Sequence, residues 1–335
     1  MTDLSRVAAE LVGRGILAAD ESTATMSARL EAEGIEASAQ TRRDYRELLL
    51  TAPGLSEAVS GIILCGETFD QETAAGMRFP QASRDLGILP GIKVDTGTSP
   101  LPGRAGATVT EGLDGLGKRL EDYAARGAAF AKWRAVIEIG VSDGWAIESN
   151  AHTLARYAVL CQAHGIVPIV EPEVLATGSH DLDACARTTD QTLQAVFAAL
   201  DRAGVALDGI VLKPNLVTPG LDGPSVDDTA IAQATFDVLT SSVPEQVAGI
   251  AFLSGGWSNA RACAHLAATS RLAGADAPWR LTYSFGRALV SDALHAWHGE
   301  AMRAGDAQQV LLANCARAAA ATRPVEAHPS EPVPV

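Results

Sequence analysis

Cysteine is scarce and scattered in this 335-residue sequence. Its five cysteines, Cys65, Cys161, Cys185, Cys263 and Cys315, are odd in number, and no C-x-x-C occurs. That argues against a zinc knuckle and against a disulfide framework, and leaves reduced thiols in a cytoplasmic protein as the simpler reading. Long apolar runs are also missing. A membrane-spanning helix needs about 18 or more consecutive apolar residues, which the chain does not supply. The first residues, MTDLSRVAAELVGRG, have no continuous apolar stretch behind a basic cluster, so no secretory signal is expected. Positive charge is the third shortage. Lys and Arg total 26 against 40 Asp and Glu, a formal net charge of −14 at pH 7. An acidic surface repels phosphodiester backbones and anionic bilayers, so nucleic-acid and membrane partners are not expected. Small anionic substrates remain open, because a few lysines gathered in one cleft reverse the field locally. Histidine patterns for metals are absent too, with no H-E-x-x-H and no three-histidine set. His180 and Asp181 are read as a helix cap, and His295 and His298 as flanking Trp297 on a helix surface.

What the chain does have is a repeat. Hydrophobic residues make up 47% of it, enough for a sizeable core. Short apolar runs recur and end abruptly in polar or glycine residues: GILAAD (15–20), GIILCG (61–66), GIKVD (91–95), FAKWR (130–134), IVPIVEPE (166–173), GIVLKPN (209–215), GIAFLSGG (249–256) and LTYSFGR (281–287). Each is strand-length and rich in Ile and Val, and most are introduced by glycine. The segments between them carry helical periodicity, as in 114–126, 150–164, 188–203, 229–239 and 259–268. Eight strands alternating with helices imply a parallel sheet with right-handed crossovers. Closed into a ring, that count gives an α/β fold of the (β/α)₈ TIM-barrel type, whose usual size of about 250 residues leaves room for extra terminal helices. An open doubly wound sheet is the alternative, less attractive because no G-x-G-x-x-G follows the first strand. Gly, Pro and Thr concentrate in 96–112 and 215–228, read as loops near strand ends. The expected division is one catalytic domain over 1–317 and a mobile, Pro-rich tail over 318–335.

The residues that end the runs carry the chemistry. Barrel active sites sit at the carboxyl ends of the strands, and here those ends offer Asp20, Lys93, Lys132 with Arg134, Glu171 with Glu173, Lys213, Ser254 and Arg287. One polar residue at a strand end can simply meet solvent. Lysines ending three runs, with carboxylates ending two others, are harder to dismiss. Residues two apart on a strand share a face, so Lys132 and Arg134 point together and Trp133 points away. In GIVLKPN, Lys213 follows an apolar run and precedes Pro214, which fixes the exit of the backbone. Desolvation and nearby cations such as Lys132 and Lys93 favour the neutral amine, the species that attacks a carbonyl to form a Schiff base. Glu171 would donate the proton that expels water, with a pKa raised by its apolar strand. Asp20 would act as a base. The bland alternative makes these carboxylates salt-bridge partners of the lysines. Ser254-Gly255-Gly256 and Ser284-Phe285-Gly286-Arg287 follow the last two runs, where barrels often bind phosphate.

The chain resembles the class I fructose-1,6-bisphosphate aldolases over nearly its whole length. The matching segments, in order, include GILAADEST (15–23), LLLTAPG (48–54), GIKVD (91–95), GLDGL (112–116), FAKWR (130–134), LARYA (154–158), GIVPIVEPE (165–173), VLKPN (211–215), VTPG (217–220), FLSGG (252–256) and SFGRAL (284–289). The resemblance implies a metal-independent lyase without cofactor. It implies that Lys213 is the Schiff-base lysine and Glu171 the acid that assists dehydration, with Asp20, Lys132 and Glu173 in the proton-transfer and charge network. Ser254, Gly255, Ser284, Gly286 and Arg287 would hold the ketose C1 phosphate, and Arg29, Ser22, Thr25, Lys93 and Arg134 the other end of the substrate. A homotetramer is implied as well. Two departures stand out. Ala28 replaces a second basic residue found in many relatives, and no terminal tyrosine is present, since the last is Tyr283 and the chain ends at Val335. The rivals are a Schiff-base aldolase or transferase acting on another phosphorylated ketose, and a non-catalytic barrel scaffold.

Overall fold

The computed structural model describes residues 3–275 and 277–323. Each of the eight apolar runs forms a strand: β1 (Gly15–Ala19), β2 (Val59–Leu64), β3 (Leu89–Lys93), β4 (Phe130–Ile137), β5 (Val167–Val174), β6 (Val211–Leu212), β7 (Gly249–Phe252) and β8 (Arg280–Phe285). They pair in parallel, each with its neighbours in sequence, and β8 closes onto β1. The result is a closed barrel, and the open-sheet alternative is excluded. Residues two apart share a face of each strand, so the barrel has an inner and an outer set. The inner set includes Ile16, Ile63, Phe130, Ile169, Val211 and Ala251. The outer set packs under the helices, as where Trp133 meets Tyr157 with ring centroids 5.5 Å apart.

The glycines that introduce the runs have a packing reason. Phe130 fills the inside of the barrel near its amino-terminal end, and a Cβ on Gly91 would lie 2.1 Å from the Phe130 ring. A Cβ on Gly61 would come within 2.4 Å of Leu11. Leu11 belongs to the first helix, Asp3–Leu11, which buries Ser5, Ala8 and Leu11 at a three-residue spacing and plugs this end of the barrel. Site chemistry is thereby confined to the opposite mouth.

Several helices start earlier than periodicity predicts. Asp143 accepts from Ala146 N and opens Gly144–Ala163, and Asp181 accepts from Ala184 N and opens Leu182–Arg202. These side chains satisfy amide donors that the first helical turn leaves unpaired. Asp181 is thus the cap, and His180 stays outside the helix. His298 also departs from expectation, because it ends the helix Arg287–Trp297 in a left-handed conformation, while Trp297 is buried and stacks on Tyr45. The loop 96–112 contains a small hairpin, Thr98–Pro100 against Thr108–Thr110. The last helix, Ala304–Ala321, runs past the boundary expected at residue 318. Cys315 and Ala318 are fully buried there, so these alanines belong to the domain. The rest of the expected tail, 324–335, lies outside the described residues. No helix among the described residues is long and apolar enough to cross a membrane.

Candidate active site

Strand register builds the site. Lys93 pairs with Lys132, and Arg134 pairs with Glu171 one step further along the barrel axis. Strand β6 is only two residues long, since Pro214 has no N–H to continue it. Lys213, immediately after the strand, still donates its backbone N–H to Val170 O at 2.8 Å. That bond sets Lys213 beside Glu171. The inward parity of Lys132, Arg134, Glu171 and Glu173 follows from the two-residue period, which in the sequence already put Lys132 and Arg134 on one face.

The side chains form one buried chain of charges. Lys213 Nζ lies 2.9 Å from Glu171 Oε1, Glu171 Oε2 lies 3.2 Å from Lys132 Nζ, and Lys132 Nζ lies 2.8 Å from Asp20 Oδ2. Lys213, Glu171 and Lys132 are each 4% exposed. The contact of Lys132 with Glu171 Oε2 is electrostatic only, because that oxygen has no aligned donor. Beside this chain Arg134 pairs with Glu173, and Lys93 reaches Asp95 at 2.6 Å.

Burial and charge oppose each other in this cluster. Burial alone would raise the Asp20 pKa, but Lys132 and Lys213 outweigh it and bring the carboxyl down to about 2. Lys132 is desolvated, yet Asp20 and Glu171 hold it firmly protonated. Glu171 departs from expectation. Its apolar strand does raise its pKa, but Lys132, Lys213 and Arg134 overcome that and leave it below the ordinary glutamate value. The resting Glu171 is a carboxylate.

A cleft of about 280 Å³ opens above the cluster, lined by Asp20, Ser22, Thr25, Lys93, Lys132 and Arg134 among others. Glu171 and Lys213 are not part of this lining; Glu171 touches Lys132, which is, and Lys213 touches Glu171. Arg29 does not reach this lining. It is drawn to Glu21 and to Ser291 Oγ at 3.2 Å. Ser22 lines the cleft and also caps the following helix through Thr25 N.

The loops after β7 and β8 face each other. Gly255 and Gly256 adopt φ of +58° and +90°, a backbone that only glycine enters without strain. A Cβ on Gly256 would lie 3.8 Å from Arg287 Nη2. Arg287 has no ion pair among the described residues, and the buried Ser284 Oγ has no hydrogen-bond partner. Two glycine-lined turns, an unpaired guanidinium and a free hydroxyl suit an anion.

Three residues that the strand-end reading overlooked support this frame. Asp95 anchors Lys93 and also accepts from Gly97 N. Glu21 joins Arg29 to the buried Arg46, which in turn donates to Ala19 O at 3.0 Å. Asp95 was legible in principle, two residues beyond Lys93. Arg46 lies within a helix and gave no signal.

Fold and site together define a (β/α)₈ barrel with a buried lysine–carboxylate relay at the carboxyl end of its strands. The family model described as "Fructose-bisphosphate aldolase class-I" matches residues 3–328. The chain is 49% identical over 304 residues to "Fructose-bisphosphate aldolase 4, cytosolic" of Arabidopsis thaliana, covering 90% of this chain and 77% of that protein. It is 50% identical over 290 residues to the "Probable fructose-bisphosphate aldolase class 1" of Xylella fastidiosa (strain 9a5c), covering 85% of this chain and 86% of that protein. A solved structure of fructose-bisphosphate aldolase from Plasmodium falciparum, in complex with TRAP and a small-molecule inhibitor, superposes with a TM-score of 0.93 at 40% identity, covering 96% of this chain and 94% of that one. The chain belongs to the class I fructose-bisphosphate aldolase family.

Proposed function

We propose that this chain cleaves fructose 1,6-bisphosphate reversibly to dihydroxyacetone phosphate and glyceraldehyde 3-phosphate, through a Schiff base on Lys213. The observation that carries this reading is the contact of Lys213 Nζ with Glu171 Oε1 at 2.9 Å, inside a relay that continues to Lys132 and Asp20. One proton passed from Lys213 to Glu171 yields a neutral amine and a neutral acid together. The amine adds to the ketose C2 carbonyl, and Glu171 returns the proton to the carbinolamine oxygen, which leaves as water. Asp20 takes the C4 hydroxyl proton, the C3–C4 bond breaks, and its electron pair enters the iminium to give an enamine. The aldehyde departs. Protonation at C3 and hydrolysis of the iminium then release the ketose phosphate and restore Lys213.

In this reading Ser254, Gly255, Ser284, Gly286 and Arg287 hold the C1 phosphate, while Lys93, Arg134, Ser22 and Thr25 face the other end from the cleft. Arg29 contributes only if it leaves Glu21. Glu173 keeps Arg134 in place. A homotetramer in the cytoplasm completes the proposal, supported by the family likeness and by the cytosolic relative. The intact relay weighs against a scaffold.

Borohydride added with dihydroxyacetone phosphate should trap a secondary amine on Lys213, located by peptide mass mapping. An adduct elsewhere, or none, would reject the assignment. A coupled cleavage assay in the presence of chelator, comparing fructose 1,6-bisphosphate with other ketose phosphates, tests the substrate. Faster cleavage of another ketose phosphate would favour the rival enzyme reading.

A further inference from the structure

The turn that follows β7 is braced from behind by an aromatic pair and a carboxylate. The N–H of Trp257 donates to Ser254 O at 3.0 Å, which closes the turn around Gly255 and Gly256. The Trp257 indole lies against this turn, since a Cβ on Gly255 would sit 3.7 Å from Trp257 Cδ1. The indole also meets His265, on the helix Asn259–Ala273, with ring centroids 5.4 Å apart and planes at 79°.

His265 is fully buried. Burying an imidazole carries a desolvation cost that an aliphatic side chain would not incur, so packing alone does not account for it. What a hydrogen-bonded polar ring adds to a core is a fixed orientation. His265 Nδ1 lies 3.0 Å from Oδ1 of Asp228, the first residue of the helix Asp228–Ser242. Arg261, one turn earlier on the helix of His265, reaches the same oxygen at 3.4 Å. His265 Nε2 has no hydrogen-bond partner among the described residues, so the bond to Asp228 is what orients the ring.

We propose that His265 is a positioning residue for the phosphate end of the substrate. Held by Asp228, it fixes the Trp257 indole, and the indole fixes the turn that carries Ser254 and Gly255. This role presupposes that the turn takes the C1 phosphate, as proposed above. Asp228 and His265 act through Trp257, so what they control is affinity for the phosphate and not the chemistry at Lys213.

Dihydroxyacetone phosphate and dihydroxyacetone form the same imine and differ only in the phosphate. Borohydride trapping on Lys213 with each ketone in turn therefore isolates the contribution of the phosphate. Arg287→Ala probes the phosphate site itself and should raise the half-saturating concentration of dihydroxyacetone phosphate alone. Asp228→Ala, which frees the imidazole by changing a partly exposed side chain, should raise it about fivefold or more and leave that of dihydroxyacetone unchanged. Asp228→Asn loses the charge but keeps an oxygen for the Nδ1–H, and should recover most of the wild-type affinity. His265→Phe keeps a ring without the bond; it should show the same selective rise, and Asp228→Ala should then add nothing to it. A rise shared by both ketones, or one as large in Asp228→Asn as in Asp228→Ala, would overturn the positioning role. So would wild-type affinity in Asp228→Ala beside a weakened Arg287→Ala. Wild-type affinity in Arg287→Ala would instead reject the phosphate site, and this role with it.

Discussion

Glu171 bridges Lys213 and Lys132, with one carboxylate oxygen 2.9 Å from the first ammonium and the other 3.2 Å from the second. A single side chain thereby holds Lys213 and senses the cation that is paired to Asp20. Its charge state follows theirs. Lys132, Lys213 and Arg134 keep it a carboxylate, and it is the acceptor that touches Lys213 Nζ.

Glu171→Gln keeps the shape of the side chain and removes its capacity to take or give a proton. Turnover should fall about 10²–10⁴-fold, the usual range for a positioned acid or base. The far-ultraviolet circular dichroism should not change. Steady-state cleavage of fructose 1,6-bisphosphate measures it, and wild-type turnover would mean that another group expels the water.

The acid side of the stability profile should depend on Asp20. Its carboxyl titrates near pH 3.8 when unfolded and about 2 in the fold. A lowered pKa contributes stability that is fully present above 3.8 and lost as pH falls through about 2. The difference corresponds to about 2 kcal/mol. Urea unfolding at steps between pH 5 and 2 should show a shallower loss for Asp20→Asn than for wild type, which also discounts the constant cost of leaving Lys132 short of a partner. Parallel curves for the two proteins would contradict the assignment.

Gly91→Ala should destabilise the barrel by about 1–3 kcal/mol, as overpacking of a filled core does. The new Cβ would meet the Phe130 ring at 2.1 Å, and that ring is held on its other side by Gly61 and the plug helix. Thermal unfolding reports the effect. Phe130→Leu, which shortens the opposing side chain, should recover part of the loss in the double variant. An unchanged melting temperature for Gly91→Ala alone would show that the ring has room to move.

Deleting residues 324–335 should change cleavage less than about threefold, roughly 0.7 kcal/mol. The removed segment, PVEAHPSEPVPV, offers Glu326, His328, Ser330 and Glu331 as its only polar side chains, and phosphate would repel the glutamates. Steady-state rates at saturating and at low substrate check it, with His328→Ala as the sharper control. A tenfold drop in either variant would assign the tail a catalytic part.

Sequence alone sufficed for the eight strands, their parallel order and the common face of Lys132 and Arg134. Those features follow from local periodicity: apolar runs of strand length set the elements, and the two-residue alternation put Lys132 and Arg134 together, away from Trp133. The ordered segments from GILAADEST to SFGRAL also carried the family. Only the tertiary structure decided what neighbours across strands decide. Glu171 sits on an apolar strand and was expected to hold its proton, but three cations from β4 and from the end of β6 reverse that. The family resemblance implied a substrate contact for Arg29, yet Glu21 and Ser291 hold it aside. The last helix continues through Ala321 because Ala318 has a buried place to pack, which an alanine-rich stretch cannot reveal. Charge balance and burial are sums over residues far apart in the chain, so they come into existence only when the barrel closes.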